Sequence, residues 1–160
     1  MKRLALIRHA DASRDNPALK DFDRPLTNTG KNNALKMASA AAADYASAPL
    51  IVTSPALRAI STAQIFASAL AVQPIEIVKD MCIYDASAGS LLHLINHLVD
   101  DDQPVLLFGH NPGLSTLAHC FADMPFYELP TCAVLELEFP HSRWQEVVPG
   151  SATVLRYRHP

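Results

Sequence analysis

The segment LIRHADAS (Leu6–Ser13) decides the architecture of this chain, because an apolar run that begins at Leu4 ends there abruptly in a charged pair. The run from Leu4 to Ile7 has the length of a short buried strand. Arg8 and His9 follow it directly. An arginine at the end of a buried strand needs an anion, since an unpaired buried charge is costly. The segment therefore predicts a strand that carries functional side chains at its tip.

Apolar runs and helix-forming stretches alternate along the rest of the chain. Strands are predicted at 4–7, 50–53, 75–78 and 105–108, and helices at about 31–46, 54–70, 87–99 and 114–121. Ser54 is expected to cap the second helix, with Pro55 as its first residue. Two further strand candidates follow at 134–139 and 152–157. This alternation predicts an α/β fold, a three-layer sandwich whose mostly parallel sheet gains antiparallel edges from the C-terminal strands.

The composition is that of a globular protein, and we expect one domain over residues 1–160. Hydrophobic residues make up 49% and charged residues 18%, and the net charge of −3 argues against a nucleic-acid binder. No apolar run reaches the roughly 18 residues that span a bilayer, and the first one is too short for a signal peptide. The three cysteines form no CxxC pair, which suits a reducing compartment. We therefore expect a cytoplasmic protein that binds neither nucleic acid nor membranes.

Basic and polar side chains follow three of the predicted strands. Arg8 and His9 end the first strand, Arg58 lies on the first turn of the helix after the second, and the fourth is followed by His110 and Asn111. Ligands of open α/β sheets bind at the carboxyl ends of the strands. Guanidinium groups and helix N-termini suit phosphate oxygens, and a cation at a helix start is otherwise disfavoured. The sequence thus predicts an oxyanion site at this edge.

Four ordered motifs resemble the histidine phosphatase superfamily, which includes phosphoglycerate mutases, and most closely its SixA-type phosphohistidine phosphatases. They are LIRHADAS (6–13), DRPLTNTG (23–30), VTSPALRAISTAQ (52–64) and VLLFGHNPGLS (105–115). The resemblance implies a phosphoglycerate mutase-like fold and a metal-independent phosphatase that needs no cofactor. It implies that His9 attacks phosphorus and is transiently phosphorylated. It also implies that Arg8, Arg58 and a protonated His110 bind the phosphate oxygens, with Asn111 beside them.

Two features depart from the superfamily pattern. Ala10 stands where the usual signature has glycine, and we expect this small replacement to preserve the pocket. The stretch KDMCIYDASAGS (79–90) lacks the general-acid glutamate of mutases and broad phosphatases. An alkoxide leaving group needs a proton donor, whereas imidazole, with a pKa of about 6.5, leaves readily. This favours phosphohistidine on a protein, such as a histidine-containing phosphotransfer domain, and Asp85, beside Tyr84, is the remaining candidate for an acid.

Two alternatives stay open. One is a phosphatase or mutase of the same superfamily that acts on a small phosphate ester, either a sugar phosphate or phosphoglycerate. The other, from a different class, is a non-catalytic phosphate-binding module.

Three other classes of site are disfavoured by the sequence. A cysteine phosphatase would need C-x5-R, which does not occur. The D-x-D pattern of Asp21 and Asp23 lies in a proline-flanked loop, not at a strand end, which argues against an aspartate nucleophile. His93 and His97 have the spacing of metal ligands on a helix, but no third ligand stands near them in the sequence. We therefore expect no metal site.

Overall fold

The computed structural model describes residues 1–160 and contains one six-stranded sheet. The strands are β1 (Lys2–Arg8), β2 (Leu50–Thr53), β3 (Val78–Lys79), β4 (Val105–Gly109), β5 (Val134–Phe139) and β6 (Thr153–Arg158). They lie side by side in the order β3-β2-β4-β1-β5-β6. The pairs among β1 to β4 are parallel, and β5 and β6 join as antiparallel strands. The predicted mostly parallel sheet with antiparallel C-terminal strands is confirmed.

Helices cover both faces of this sheet. They are α1 (Asn28–Ala42), α2 (Leu57–Ala69), α3 (Ala88–Asn96) and α4 (Gly113–Phe121). The side chains of β1 alternate between two apolar clusters: Ala5 and Ile7 enter the one that contains α1 and α2, whereas Leu4 and Leu6 enter the one that contains α3 and α4. The sheet is therefore buried on both faces, as in a three-layer sandwich. None of the helices has both the length and the apolar character needed to cross a membrane.

The third strand is shorter than predicted and lies later in the chain. Pro74–Glu76 forms a turn of 3-10 helix, and only Val78 and Lys79 pair with β2. Pro74 favours the turn because its ring presets φ and it has no N–H to donate to a sheet. Ile75, which looks like a strand residue in the sequence, is 92% exposed. The prediction of a strand over 75–78 was wrong except at its last residue.

The second helix begins at Leu57 with Ala56 at its N-cap, so the prediction that Ser54 caps it was wrong. The Ser54 hydroxyl instead accepts a hydrogen bond from the Ala56 N–H (3.2 Å) and lies 2.8 Å from His110 Nε2. Arg58 nevertheless lies on the first turn of α2, as predicted. Ser54 therefore contributes to the carboxyl edge of the sheet and not to the helix.

Gly30 allows the start of α1 to lie against the loop that follows β1. A Cβ atom on Gly30 would stand 2.2 Å from the carbonyl oxygen of Asp11. The same oxygen accepts a hydrogen bond from the Thr27 N–H (3.0 Å), and Ala12 pairs with Leu26 as an isolated bridge. Thr27 also caps α1, which begins earlier than predicted, at Asn28. These contacts hold the motif DRPLTNTG (23–30) beside the carboxyl end of β1.

Replacing Gly30 by alanine should lower the free energy of unfolding by about 1–3 kcal/mol, because the new methyl group meets backbone that cannot move freely. Gly89→Ala is the matched control, since its nearest new contact is the Ser87 Oγ at 3.8 Å. The control should change the stability by less than about 1 kcal/mol. Urea denaturation of both variants measures the difference. Equal small effects would contradict the close approach.

Candidate active site

The carboxyl ends of β1, β2 and β4 border a polar cavity of about 460 Å³. All six residues predicted for the site line this cavity: Arg8, His9, Arg58, Asp85, His110 and Asn111. A larger and more apolar groove of about 940 Å³ lies beside β3 and α3 and contains none of them. The polar cavity is therefore the candidate active site, because all of the predicted phosphate-binding groups line it.

His9 is buried and is held as the tautomer with its proton on Nδ1. That nitrogen lies 2.7 Å from the carbonyl oxygen of Ala10, which can only accept a hydrogen bond. The other nitrogen, Nε2, accepts a hydrogen bond from Arg58 Nε at 3.2 Å. Burial lowers the pKa of His9 to about 3, and the nearby charges of Arg58 and Arg8 act in the same direction. The imidazole is therefore neutral at neutral pH and carries a lone pair on Nε2.

The backbone on either side of His9 is held by three parts of the fold. The His9 N–H donates to the Gly109 carbonyl (3.1 Å), and the Cys132 N–H donates to the His9 carbonyl (3.1 Å). The Ala10 N–H donates to Thr62 Oγ1 in α2 at 3.0 Å. Together these bonds set the direction in which the imidazole leaves the strand.

Arg58 reaches from α2 to His9 and is oriented by Asp21. Its Nη1 and Nη2 donate to the Asp21 carbonyl oxygen (2.6 Å) and to Asp21 Oδ2 (3.0 Å). The Tyr84 hydroxyl also donates to Oδ2, at 2.8 Å. Partial burial opposes ionisation of Asp21, but the hydrogen bond from Tyr84 and the charge of Arg58 prevail and lower its pKa. Asp21 is therefore a carboxylate that positions Arg58, a role that the sequence interpretation missed.

His110 lies next to His9, with 5.2 Å between the ring centroids. Its Nε2 lies 2.8 Å from the Ser54 hydroxyl, and its Nδ1 is buried without a partner in the protein. Burial and the charge of Arg58 lower the pKa of His110 to about 4. The ring is thus neutral in the free site, and its protonation beside bound phosphate stays a prediction. A neutral ring that accepts from Ser54 would still offer its Nδ1–H to an oxyanion.

Arg8 enters the cavity from the end of β1. Its Nη1 donates to the Leu129 carbonyl (2.8 Å) and lies 3.5 Å from Glu128 Oε1, while its Nε is buried without a partner in the protein. Asn111 Nδ2 donates to the same Glu128 oxygen and the same Leu129 carbonyl, each at 2.9 Å. Asn111 Oδ1 accepts from Ser115. The Asn111 amide thus holds the loop at 128–129, and its contact with phosphate stays a prediction.

Comparisons with known proteins assign the chain that carries this site to a family. The sequence model of the histidine phosphatase superfamily, branch 1, matches residues 4–94. The chain belongs to this superfamily. Among solved structures, a provisionally assigned phosphohistidine phosphatase SixA from Agrobacterium tumefaciens is 26% identical, with a TM-score of 0.82 over 99% of this chain and 98% of that one. This histidine phosphatase is therefore similar to the SixA type, as the motifs predict.

More distant structures share the fold of this histidine phosphatase. The protein histidine phosphatase SixA in complex with tungstate is 21% identical, with a TM-score of 0.81 over 98% of this chain and 96% of that one. A mycobacterial glucosyl-3-phosphoglycerate phosphatase is 14% identical, with a TM-score of 0.72 over the whole of both chains. An uncharacterised chloroplast protein of Arabidopsis thaliana is 26% identical over 91% of this chain and 70% of its own length. The fold thus occurs with more than one substrate class.

Asp85, the acid candidate of this histidine phosphatase, lies at the rim of the cavity. It is exposed and has a φ of 54°, a left-handed conformation that aspartate tolerates better than most residues. Its neighbour Tyr84 is not merely a packing residue, because its hydroxyl contacts Asp21. A role for Asp85 as a proton donor stays a prediction.

His93 and His97 lie outside the cavity, on the exposed side of α3. Their ring centroids are 4.2 Å apart. No group of three histidine, cysteine, aspartate or glutamate side chains is arranged to hold a metal ion. The pair therefore has no third ligand in this structure.

The tautomer of His9 can be tested directly by NMR of its ring nitrogens. Because burial lowers the pKa of His9 to about 3, the ring should stay neutral from about pH 8 to about pH 5, with the proton on Nδ1. Selective ¹⁵N labelling of histidine, with His9→Gln for assignment, identifies its signals. A titration midpoint near the ordinary value of about 6.5 would contradict the lowered pKa of His9, and a proton found on Nε2 would contradict the tautomer.

Proposed function

We propose that this histidine phosphatase uses His9 as its nucleophile and removes phosphate from phosphohistidine on a protein. One observation carries the proposal: the proton of His9 is held on Nδ1 by the Ala10 carbonyl, which leaves the lone pair of Nε2 for attack. Members of the superfamily are phosphatases, which supports a hydrolase. The partner would be a phosphorylated protein, such as a histidine-containing phosphotransfer domain, in the cytoplasm.

In the first step, His9 Nε2 attacks phosphorus and the bond to the leaving group breaks. The electron pair of that bond goes to the leaving atom, and the phosphoryl group becomes attached to Nε2. The guanidinium groups of Arg8 and Arg58 stabilise the negative charge on the transferred oxygens. Arg8 Nε and His110 Nδ1, both buried and without protein partners, are further contacts for those oxygens.

In the second step, water attacks phosphorus and the electron pair of the P–N bond returns to His9 Nε2. Inorganic phosphate leaves with the oxygen of that water, and the proton of the water goes to phosphate or solvent. The proton stays on His9 Nδ1, hydrogen-bonded to the Ala10 carbonyl, through both steps, so the nucleophile is regenerated in its starting tautomer. The cycle uses no metal and no cofactor.

The proton balance of this cycle favours an imidazole leaving group. When the distal nitrogen of a phosphohistidine carries a proton, the ring departs as neutral imidazole and the leaving nitrogen needs no proton donor. An alkoxide, in contrast, must be protonated as it leaves. The segment 79–90 contains no glutamate, and Asp85 is its one exposed carboxylate that lines the cavity. The site therefore suits phosphohistidine better than a sugar phosphate.

A phosphatase or mutase of small esters is the second candidate, and the position of Asp85 favours it. If the Asp85 carboxyl carries a proton at the rim, it can supply that proton to an alkoxide. A non-catalytic phosphate-binding module remains the third interpretation, and turnover of p-nitrophenyl phosphate separates it from both enzymes.

His9→Gln should abolish turnover and leave the free energy of unfolding within about 1 kcal/mol, because the change removes Nε2 but keeps most of the volume. When the wild-type enzyme is quenched in alkali during turnover, a phosphoryl group should be trapped on His9 Nε2, and this group should be stable to base and labile to acid. His93→Gln, which changes an exposed histidine outside the cavity, is the control and should behave as wild type. The assays contain EDTA. Turnover by His9→Gln, or activity that requires added metal, would overturn the mechanism.

The rates should follow the leaving group. We expect kcat/KM for a phosphohistidine protein and for p-nitrophenyl phosphate to exceed that for 3-phosphoglycerate or a sugar phosphate by about 100-fold, the typical contribution of a general acid. All four substrates are compared at one pH. A preference for either alkyl phosphate would show that an acid acts in the site and would assign the enzyme to the small-molecule group. Asp85→Asn would then identify the donor.

A further inference from the structure

Glu128 lies where the active cavity meets a second groove, which has a volume of about 620 Å³. Arg8 and Asn111 line both spaces, so the two adjoin at this point. The Glu128 side chain is 54% exposed. Its Oε1 accepts a hydrogen bond from Asn111 Nδ2 at 2.9 Å and lies 3.5 Å from Arg8 Nη1. A carboxylate is therefore held beside the proposed phosphate pocket, next to Arg8.

Two of the three carboxylates that line the active cavity are already engaged by protein groups. Asp21 accepts hydrogen bonds from Arg58, Tyr84 and Arg24. Asp11 Oδ2 accepts from the Thr27 hydroxyl. Glu128 differs because all of its polar contacts are made through Oε1. Its Oε2 is free to accept a hydrogen bond from a group that enters the groove.

We propose that Glu128 determines specificity by accepting a hydrogen bond from the protonated distal ring nitrogen of the phosphohistidine. This inference rests on the proposed function and names the residue that recognises its leaving group. Oε2 would hold the distal N–H while His9 Nε2 attacks phosphorus. The P–N bond breaks, its electron pair goes to the proximal ring nitrogen, and the ring departs as neutral imidazole with its distal N–H intact. No proton moves to or from Glu128.

The charge of Glu128 also acts against the alternative substrates. A carboxylate beside the phosphate pocket favours a cationic leaving group and repels an anionic one, such as the glyceric acid of 3-phosphoglycerate. The other charged or titratable groups around it are Arg8 from β1, His119 from α4 and Tyr127 from its own loop. Arg8 is directed to the phosphate, so Glu128 is the acidic group that faces the groove.

The test is Glu128→Gln, which keeps the size and the acceptor oxygen but removes the charge. The matched control is Glu138→Gln, which changes a glutamate of β5 that lines neither space. The probes are N-phosphohistidine, p-nitrophenyl phosphate and 3-phosphoglycerate. For Glu128→Gln, kcat/KM should fall roughly fivefold with phosphohistidine and rise roughly fivefold with 3-phosphoglycerate, the size of one partly exposed charge contact. With p-nitrophenyl phosphate the change should stay below about twofold.

A purely structural role makes a different prediction. If Glu128 only positioned Arg8 and Asn111, its removal would lower the rate with all three probes by the same factor, and that result would overturn the inference. A wild-type enzyme that does not hydrolyse phosphohistidine would instead overturn the proposed function, before any variant is compared.

The pH dependence provides an independent readout. The carboxylate stabilises the protonated ring of the bound substrate, so the alkaline limb of kcat for phosphohistidine, which reports ionisations of the enzyme–substrate complex, should shift to lower pH in Glu128→Gln. Glu128→Asp, which restores the charge, should move the limb back towards the wild-type position. An unchanged alkaline limb in Glu128→Gln would contradict a contact with the distal nitrogen.

Discussion

The backbone hydrogen bonds at the carboxyl end of β1 are the constraint on which the site depends. β1 pairs with β4 on one side, up to the register Arg8 with Gly109, and with β5 on the other. The Cys132 N–H then bonds both the Arg8 and the His9 carbonyl oxygens at 3.1 Å. With the backbone fixed on both sides, the imidazole of His9 meets the Ala10 carbonyl and keeps its proton on Nδ1. The same register places His110 directly beside it.

The electrostatics of the cavity keep both imidazoles uncharged. Four arginines line it, Arg8, Arg14, Arg24 and Arg58, although the chain as a whole has a net charge of −3. Burial, together with the charges of Arg58 and Arg8, lowers the pKa of His9 to about 3 and that of His110 to about 4. Unpaired buried guanidinium groups would cost several kcal/mol, and Asp21 offsets that cost at Arg58. A concentrated positive charge can thus stand beside the unprotonated imidazole of His9.

In this histidine phosphatase the basic groups of the cavity and the residues of its rim lie on different parts of the fold. Arg8 and His9 lie at a strand end and Arg58 on the first turn of a helix, where the sheet holds them. Asp85 and Glu128, the residues proposed to meet a leaving group, lie on loops, Asp85 at the rim of the cavity and Glu128 in the adjoining groove. Loops can change without disturbing the sheet, which explains how one fold accommodates the phosphatases of different substrates found among the structural relatives.

The sequence by itself determined the order of strands and helices and the convergence of Arg8, His9, Arg58 and His110. Apolar runs report local structure, and the carboxyl ends of parallel strands must meet at one edge. The prediction of a strand over 75–78 was wrong because a turn that begins at Pro74 replaces most of it. Only the tertiary structure decided the partners of the arginines. Asp21 and Arg58 are 37 positions apart in the chain, and Glu128, which contacts Arg8, comes from a loop that follows β4 and α4 in the sequence. It also decided the tautomer and charge of His9, because burial and neighbouring cations come from segments that no local pattern connects.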